Sequence, residues 1–173
     1  ANPRADNEDG HVLELTPPKR TGGLDHAADE FKWSVFLIAG TCEDGGQYGS
    51  PEAAVLSGPD NFAFDPQGRL WIATDNRRWS QHLNPIPNGL YGCQAEGPDR
   101  AVTRFFYNVP AGAEMCGPEF TPDGQTLFVA VQHPSEDLDP KPAKSWPDFI
   151  EGVPGRPSIV AITRKGGGMV GGG

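Results

Sequence analysis

Two stretches of the chain repeat one pattern: PDNFAFDPQGRLWIATD at 59–75 and CGPEFTPDGQTLFVAVQH at 116–133. Each reads as strand, tight Pro-Gly turn, strand, with the turn glycine able to take the positive φ that other residues resist. Phe64 and Phe120 hold the same place in the two copies, 56 positions apart. That spacing is long enough for a unit of four strands with its loops. The remaining apolar runs fit the same unit. GHVLEL (10–15) and KWSVFLIAG (32–40) precede the first hairpin, NGLYGC (88–93) and VTRFFYNV (102–109) follow it, and RPSIVAITR (156–164) follows the second. Lettered A to D, the strands run C-D, A-B-C-D, A-B-C.

This order predicts an all-β chain that is part of a β-propeller, about two to three blades of a larger ring, with one whole blade from about Asp60 to Val109. A sandwich or plain meander sheets would satisfy the same period-2 strands; only the recurrence of the full A-B-C-D unit favours the propeller. Residues 1–164 are assigned to the partial propeller and 165–173, KGGGMVGGG, to a flexible Gly-rich tail. An incomplete array leaves two open apolar faces, so other chain segments or a partner are expected to cover them.

The 173 residues suit one domain or a piece of one. Glycine (23) and proline (18) interrupt every candidate long helix. The net charge of −9 repels phosphate backbones and anionic lipid, which argues against nucleic acid as a partner, and agrees with cation binding. No apolar run approaches a membrane span, and the opening ANPRADNEDG lacks the basic and apolar segments of a signal peptide. Cys42, Cys93 and Cys116 lie too far apart for a zinc knuckle, and four-thiolate zinc would need a fourth cysteine. No GxSxG, GxGxxG, HExxH or Walker loop occurs, so serine-hydrolase, Rossmann, zincin and P-loop chemistry lack a basis.

In the propeller arrangement several polar loop residues converge on one rim. These are Asp60, Asn61 and Glu114 on D–A connections, and Arg4, Asp75, His133 and Arg156 on B–C connections. Asp60, Asp75 and Glu114 serve either as turn and capping residues or as carboxylates that need a neutralising cation, with Asn61 and Asn2 as further oxygen donors. Asp65 and Asp123, in DPQG and TPDG, are read as turn residues. Arg4 and Arg156 either pair with acidic neighbours or offer forked donors to phosphate oxygens. His133 closes a loop or assists a leaving group, and Cys116 is a small apolar filler or a soft ligand.

The ordered motifs NPRADN, WSVFLIAG, GPDNFAFDPQGRLWIATD, NGLYGC, GAEMCGPEFTPDGQTLFVAVQHP, SWPDF and GRPSIVAITR resemble the C-terminal portion of PhoX-type alkaline phosphatases, from Asn2 to Arg164. The resemblance implies a six-bladed propeller and an exported periplasmic or extracellular enzyme. Its members hydrolyse phosphomonoesters with ferric iron and calcium. By motif it implies Arg4 and Arg156 as phosphate-contacting residues and Asp60 and Glu114 as calcium ligands, with Asn2, Asn61, Asp75 and His133 as weaker candidates. It places the iron-binding cysteine and several carboxylates in an N-terminal portion that this chain does not carry, so the isolated chain is expected to be inactive. The alternative is a calcium-binding propeller module that holds a ligand or partner without catalysis.

Overall fold

The structure, a computed structural model, describes residues 5–40, 56–77, 86–136 and 138–172. Eleven strands are present among them: β1 (His11–Thr16), β2 (Lys19–Arg20), β3 (Gly23–Leu24), β4 (Lys32–Ile38), β5 (Pro59–Phe64), β6 (Leu70–Thr74), β7 (Gly89–Cys93), β8 (Arg104–Asn108), β9 (Glu114–Phe120), β10 (Thr126–Gln132) and β11 (Ser158–Thr163). All named pairings are antiparallel. They form a two-stranded β1-β4 sheet, a four-stranded β5-β6-β7-β8 sheet, a three-stranded β11-β10-β9 sheet and the small β2-β3 ribbon.

The two repeated hairpins are equivalent. Phe64 pairs with Leu70 and Phe120 with Leu127 across their turns. Gly68 and Gly124 take the positive φ expected of them, 76° and 67°, and each donates its N–H back across the turn, to Asp65 O and Thr121 O. The side chains of Asp65 and Asp123 close these turns by accepting backbone N–H groups, from Gln67 and Gln125.

Strand β6 lies at the centre and is buried along its whole length. Because successive side chains leave a strand on opposite faces, Leu70 and Ile72 join one core with Val12, Phe36, Leu37 and Tyr91. Trp71 and Ala73 join the other, with Leu90, Met115, Leu127 and Val129. The four-stranded sheet is therefore packed on both faces, and β9 runs against β5, β6 and β7. Residues 165–172 follow β11 as turns. Val170 is only 3% exposed in the second core, and its N–H donates to Gly124 O at 2.9 Å.

The expected propeller is not found. Among the described residues no sheet closes into a barrel or curls; the architecture there is a set of small, open antiparallel sheets. The physical reason is that repeated hairpins fix strand pairing and alternation, and a stack of open sheets satisfies both without closure. No helix among the described residues is long and apolar enough to cross a membrane.

Candidate functional site

The start of β9 and the ends of β6 and β10 meet at one edge of the stack, and they bring an acidic group together. Glu114, only 7% exposed, opens β9 opposite Gln132, the last residue of β10. Its Oε1 accepts the Cys116 thiol at 2.9 Å, and its Oε2 lies 3.5 Å from His133 Nε2. Asp75, just past β6, hydrogen-bonds the Glu114 carboxylate, and Asp60 on β5 is close enough to act on it electrostatically. Asn61 donates to Asp60 Oδ2 at 2.8 Å and accepts from the Gly117 N–H at 2.9 Å, which ties β5 to β9.

Backbone packing and a buried amide network hold these side chains in place. Asp75 N donates to Gly58 O at 2.8 Å, and Gly58, at φ 66°, passes so close that a Cβ there would lie 2.4 Å from Asp75 O. Only glycine fits that approach. Behind Asp75, Asn88 accepts the Asn76 N–H and donates to Ala113 O at 3.0 Å, the residue before Glu114. Thr74 Oγ1 accepts the Gly89 N–H at 3.0 Å, and Asn76 donates to Ile86 O at 2.8 Å. All four side-chain positions, Thr74, Asn76, Asn88 and Glu114, are buried. The network thus locks the end of β6 to the start of β9. Sequence reasoning missed Asn88; its only signal was an asparagine ahead of a strand, which also describes an ordinary turn.

Crowded carboxylates change proton affinity. Burial, and then the neighbouring Glu114 and Asp60, push Asp75 up to about 6, so it keeps a proton well above the ordinary carboxylate range. Burial and Glu114 also push the Cys116 thiol up to about 12, which makes it a neutral donor at physiological pH rather than a thiolate ligand. Burial alone would lower His133, but Glu114 and Glu136 outweigh it and the imidazole is raised. Its Nδ1 lies 3.3 Å from Glu136 Oε2 without the alignment of a hydrogen bond, so that contact is electrostatic only.

Asp75 yields a stability prediction. A carboxyl whose folded pKa exceeds its unfolded one contributes stability that is complete below about 4 and lost as pH rises through about 6. Asp75→Asn is therefore expected to raise unfolding free energy by about 1 kcal/mol at pH 8, after screening, with no gain at pH 4. Urea unfolding at the two pH values checks this, and equal destabilisation at both would contradict it.

Asp60, Asn61, Asp75, Glu114 and His133 lie together at this edge. Arg156 does not join them: it pairs with Asp148, and no hydrogen bond or ion pair among the described residues links it to the acidic group. Arg4 and Asn2 lie outside the described residues. The expectation of a metal-binding chain is also corrected. Among the described residues no group of three or more His, Cys, Asp or Glu side chains is arranged to hold a metal ion. Glu114 instead accepts the Cys116 thiol at 2.9 Å and lies 3.5 Å from His133 Nε2, so these groups satisfy each other. They do not by themselves fit the calcium and iron that the resemblance implies.

Comparison with known proteins bears on what this edge belongs to. No curated protein matches the chain. A solved structure, Pseudomonas fluorescens PhoX in complex with vanadate, a transition state analogue, is similar over 98% of the chain at 33% identity and a TM-score of 0.76. The chain spans 29% of that longer protein. Residues 1–135 match the family described as alkaline phosphatase PhoX, and the chain belongs to that family.

Proposed function

We propose that the chain is a segment of a PhoX-type alkaline phosphatase that hydrolyses phosphomonoesters, and that it supplies one acidic wall of the site. The observation that carries this reading is half-buried Asp75 set against buried Glu114, at an edge of a chain that belongs to the PhoX family. Asp75, raised to about 6 beside Glu114, is ionised at alkaline pH, where it can take a proton from an attacking oxygen as a general base. His133, set between Glu114 and Glu136, holds the pair in place electrostatically. Arg4 and Arg156 are proposed to meet phosphoryl oxygens, which requires Arg156 to exchange its Asp148 partner for the substrate. Calcium and iron, when bound in the complete protein, supply positive charge against the phosphoryl group, with their ligands drawn mostly from outside this chain.

Further segments of the parent protein are proposed to cover the outer faces of the stack. Leu15 and Trp33 on the β1-β4 sheet are 62% and 55% exposed, and Ile159 on β11 is 71% exposed. Leu15 and Trp33 sit opposite each other across the two strands, and exposed apolar side chains placed side by side mark a surface that another polypeptide covers. The complete protein is assigned to the periplasm or the exterior of the cell, as the family resemblance implies.

The test is hydrolysis of 4-nitrophenyl phosphate at alkaline pH by the complete protein and by the 173-residue chain. Turnover by the complete protein, with little or none by the chain alone, is expected. A complete protein that fails to exceed the uncatalysed rate would refute the reading.

A further inference from the structure

Between β10 and β11 the chain makes a long excursion, and the excursion lines an open cleft of about 700 Å³ that begins at His133. Its volume falls in the range of small-molecule sites and far exceeds that of a phosphate ion. Four prolines, Pro134, Pro142, Pro154 and Pro157, line it. Their fixed φ angles give it stiff apolar walls. The floor is also pre-formed. Ser135 and Ser145, both buried, share a hydrogen bond of 3.3 Å. Gly155 lies so near Pro134 that a Cβ there would sit 2.3 Å from its carbonyl oxygen. Lys144 and Glu151 form an antiparallel bridge across the excursion, reinforced by Gly152 N donating to Ala143 O at 3.1 Å.

We infer that this cleft receives the organic leaving group of the phosphomonoester and selects uncharged, ring-sized groups over anionic ones. The inference rests on the phosphatase reading and names the substrate class of that same site. His133 is the shared wall: its Nε2 faces Glu114 in the acidic group, and the same residue lines the cleft. An ester whose phosphorus sits at the acidic edge therefore has this space for the remainder of the molecule. The fixed charges that line the cleft are two carboxylates, Glu136 and Glu151, against one cation, Lys141, beside the titratable His133. A second anionic group would meet net repulsion there, whereas an apolar ring gains contact with the proline walls.

The test uses the complete protein and two matched pairs of esters. Ala143 is exposed and lines the cleft, so Ala143→Trp fills the space without disturbing a core. It should lower kcat/KM for 1-naphthyl phosphate by about ten-fold or more while leaving methyl phosphate within about two-fold, the scale on which pocket shape discriminates. Glu151→Lys should raise the ratio of 4-carboxyphenyl to 4-methylphenyl phosphate turnover by about five-fold, the scale of one partly exposed charge contact. Equal changes for both esters in each pair, or no change in either, overturn the inference while leaving the phosphatase reading intact. A wild-type protein that hydrolyses methyl phosphate but not the naphthyl ester also overturns the inference alone. Failure on every ester overturns the phosphatase reading and the inference with it.

Discussion

Replacing Asp65 by alanine is expected to lower the unfolding free energy by about 3–5 kcal/mol, the range for removing one partner of a buried charged pair. The side chain of Asp65 is 1% exposed and accepts four hydrogen bonds. Gln67 N and Arg69 N each donate at 3.0 Å, Trp71 Nε1 at 2.9 Å and Arg69 Nε at 2.5 Å. Alanine would strand the Trp71 N–H and leave the part-buried Arg69 guanidinium without its counter-charge. The damage would spread beyond the turn, because Arg69 also donates to Val170 O at 3.0 Å and to Gly171 O. The seat of Val170 in the second core depends on those contacts. A pH signature separates this from simple loss of packing. Burial alone would raise Asp65, but the bonds from Trp71 and Arg69 outweigh it and hold the carboxyl below its ordinary value. The stabilisation is then complete above about 4 and disappears as pH falls through the depressed folded value. Denaturant unfolding of the wild type and Asp65→Ala should converge in strong acid, and a loss under 1 kcal/mol at pH 7 would contradict the assignment.

The role of Asp65 as a turn residue was legible in the DPQG motif; its bonds to Trp71 and, through Arg69, to the Gly-rich tail were not. That division holds across the molecule. The strands and both hairpins are written in local signals, period-2 alternation and turn glycines, so they were readable. The architecture is not local. Leu70 and Ile72 on one side of β6, and Trp71 and Ala73 on the other, ask only for a packed layer on each face. Open stacked sheets meet that demand as fully as a ring does, and the repeat could not distinguish them. At the site, Asp60, Asp75, Glu114 and His133 stood out because the strand order put them on connections at one end of the repeated unit. The partner of Arg156 was illegible, since Asp148 reaches it through the folding of the SWPDF loop. So was the protonation of Cys116, which depends on Glu114 facing it from two residues away on the same strand.

Glu114 is the residue on which the proposed chemistry depends most, and in the complete protein Glu114→Gln is expected to reduce kcat by about 10²–10³-fold, the scale of a lost proton-transfer or charge-stabilising group. The carboxylate is buried and touches three ionisable groups: the thiol of Cys116 at 2.9 Å, His133 at 3.5 Å and the carboxyl of Asp75. Glutamine keeps the volume and one acceptor oxygen, so the packing at the start of β9 should survive while the charge is lost. Three titrations should then move together. Asp75 and Cys116, both raised in part by Glu114, should fall toward their ordinary values, and His133, raised by the same carboxylate, should also fall. Loss of activity without these shifts would indicate a structural failure rather than the removal of a charge. The thiol gives the cleanest readout, because Cys116 should become measurably more reactive toward alkylating reagents as its pKa drops from about 12. Unchanged kcat together with unchanged Cys116 reactivity would mean that Glu114 neither sets the electrostatics of this edge nor takes part in the reaction.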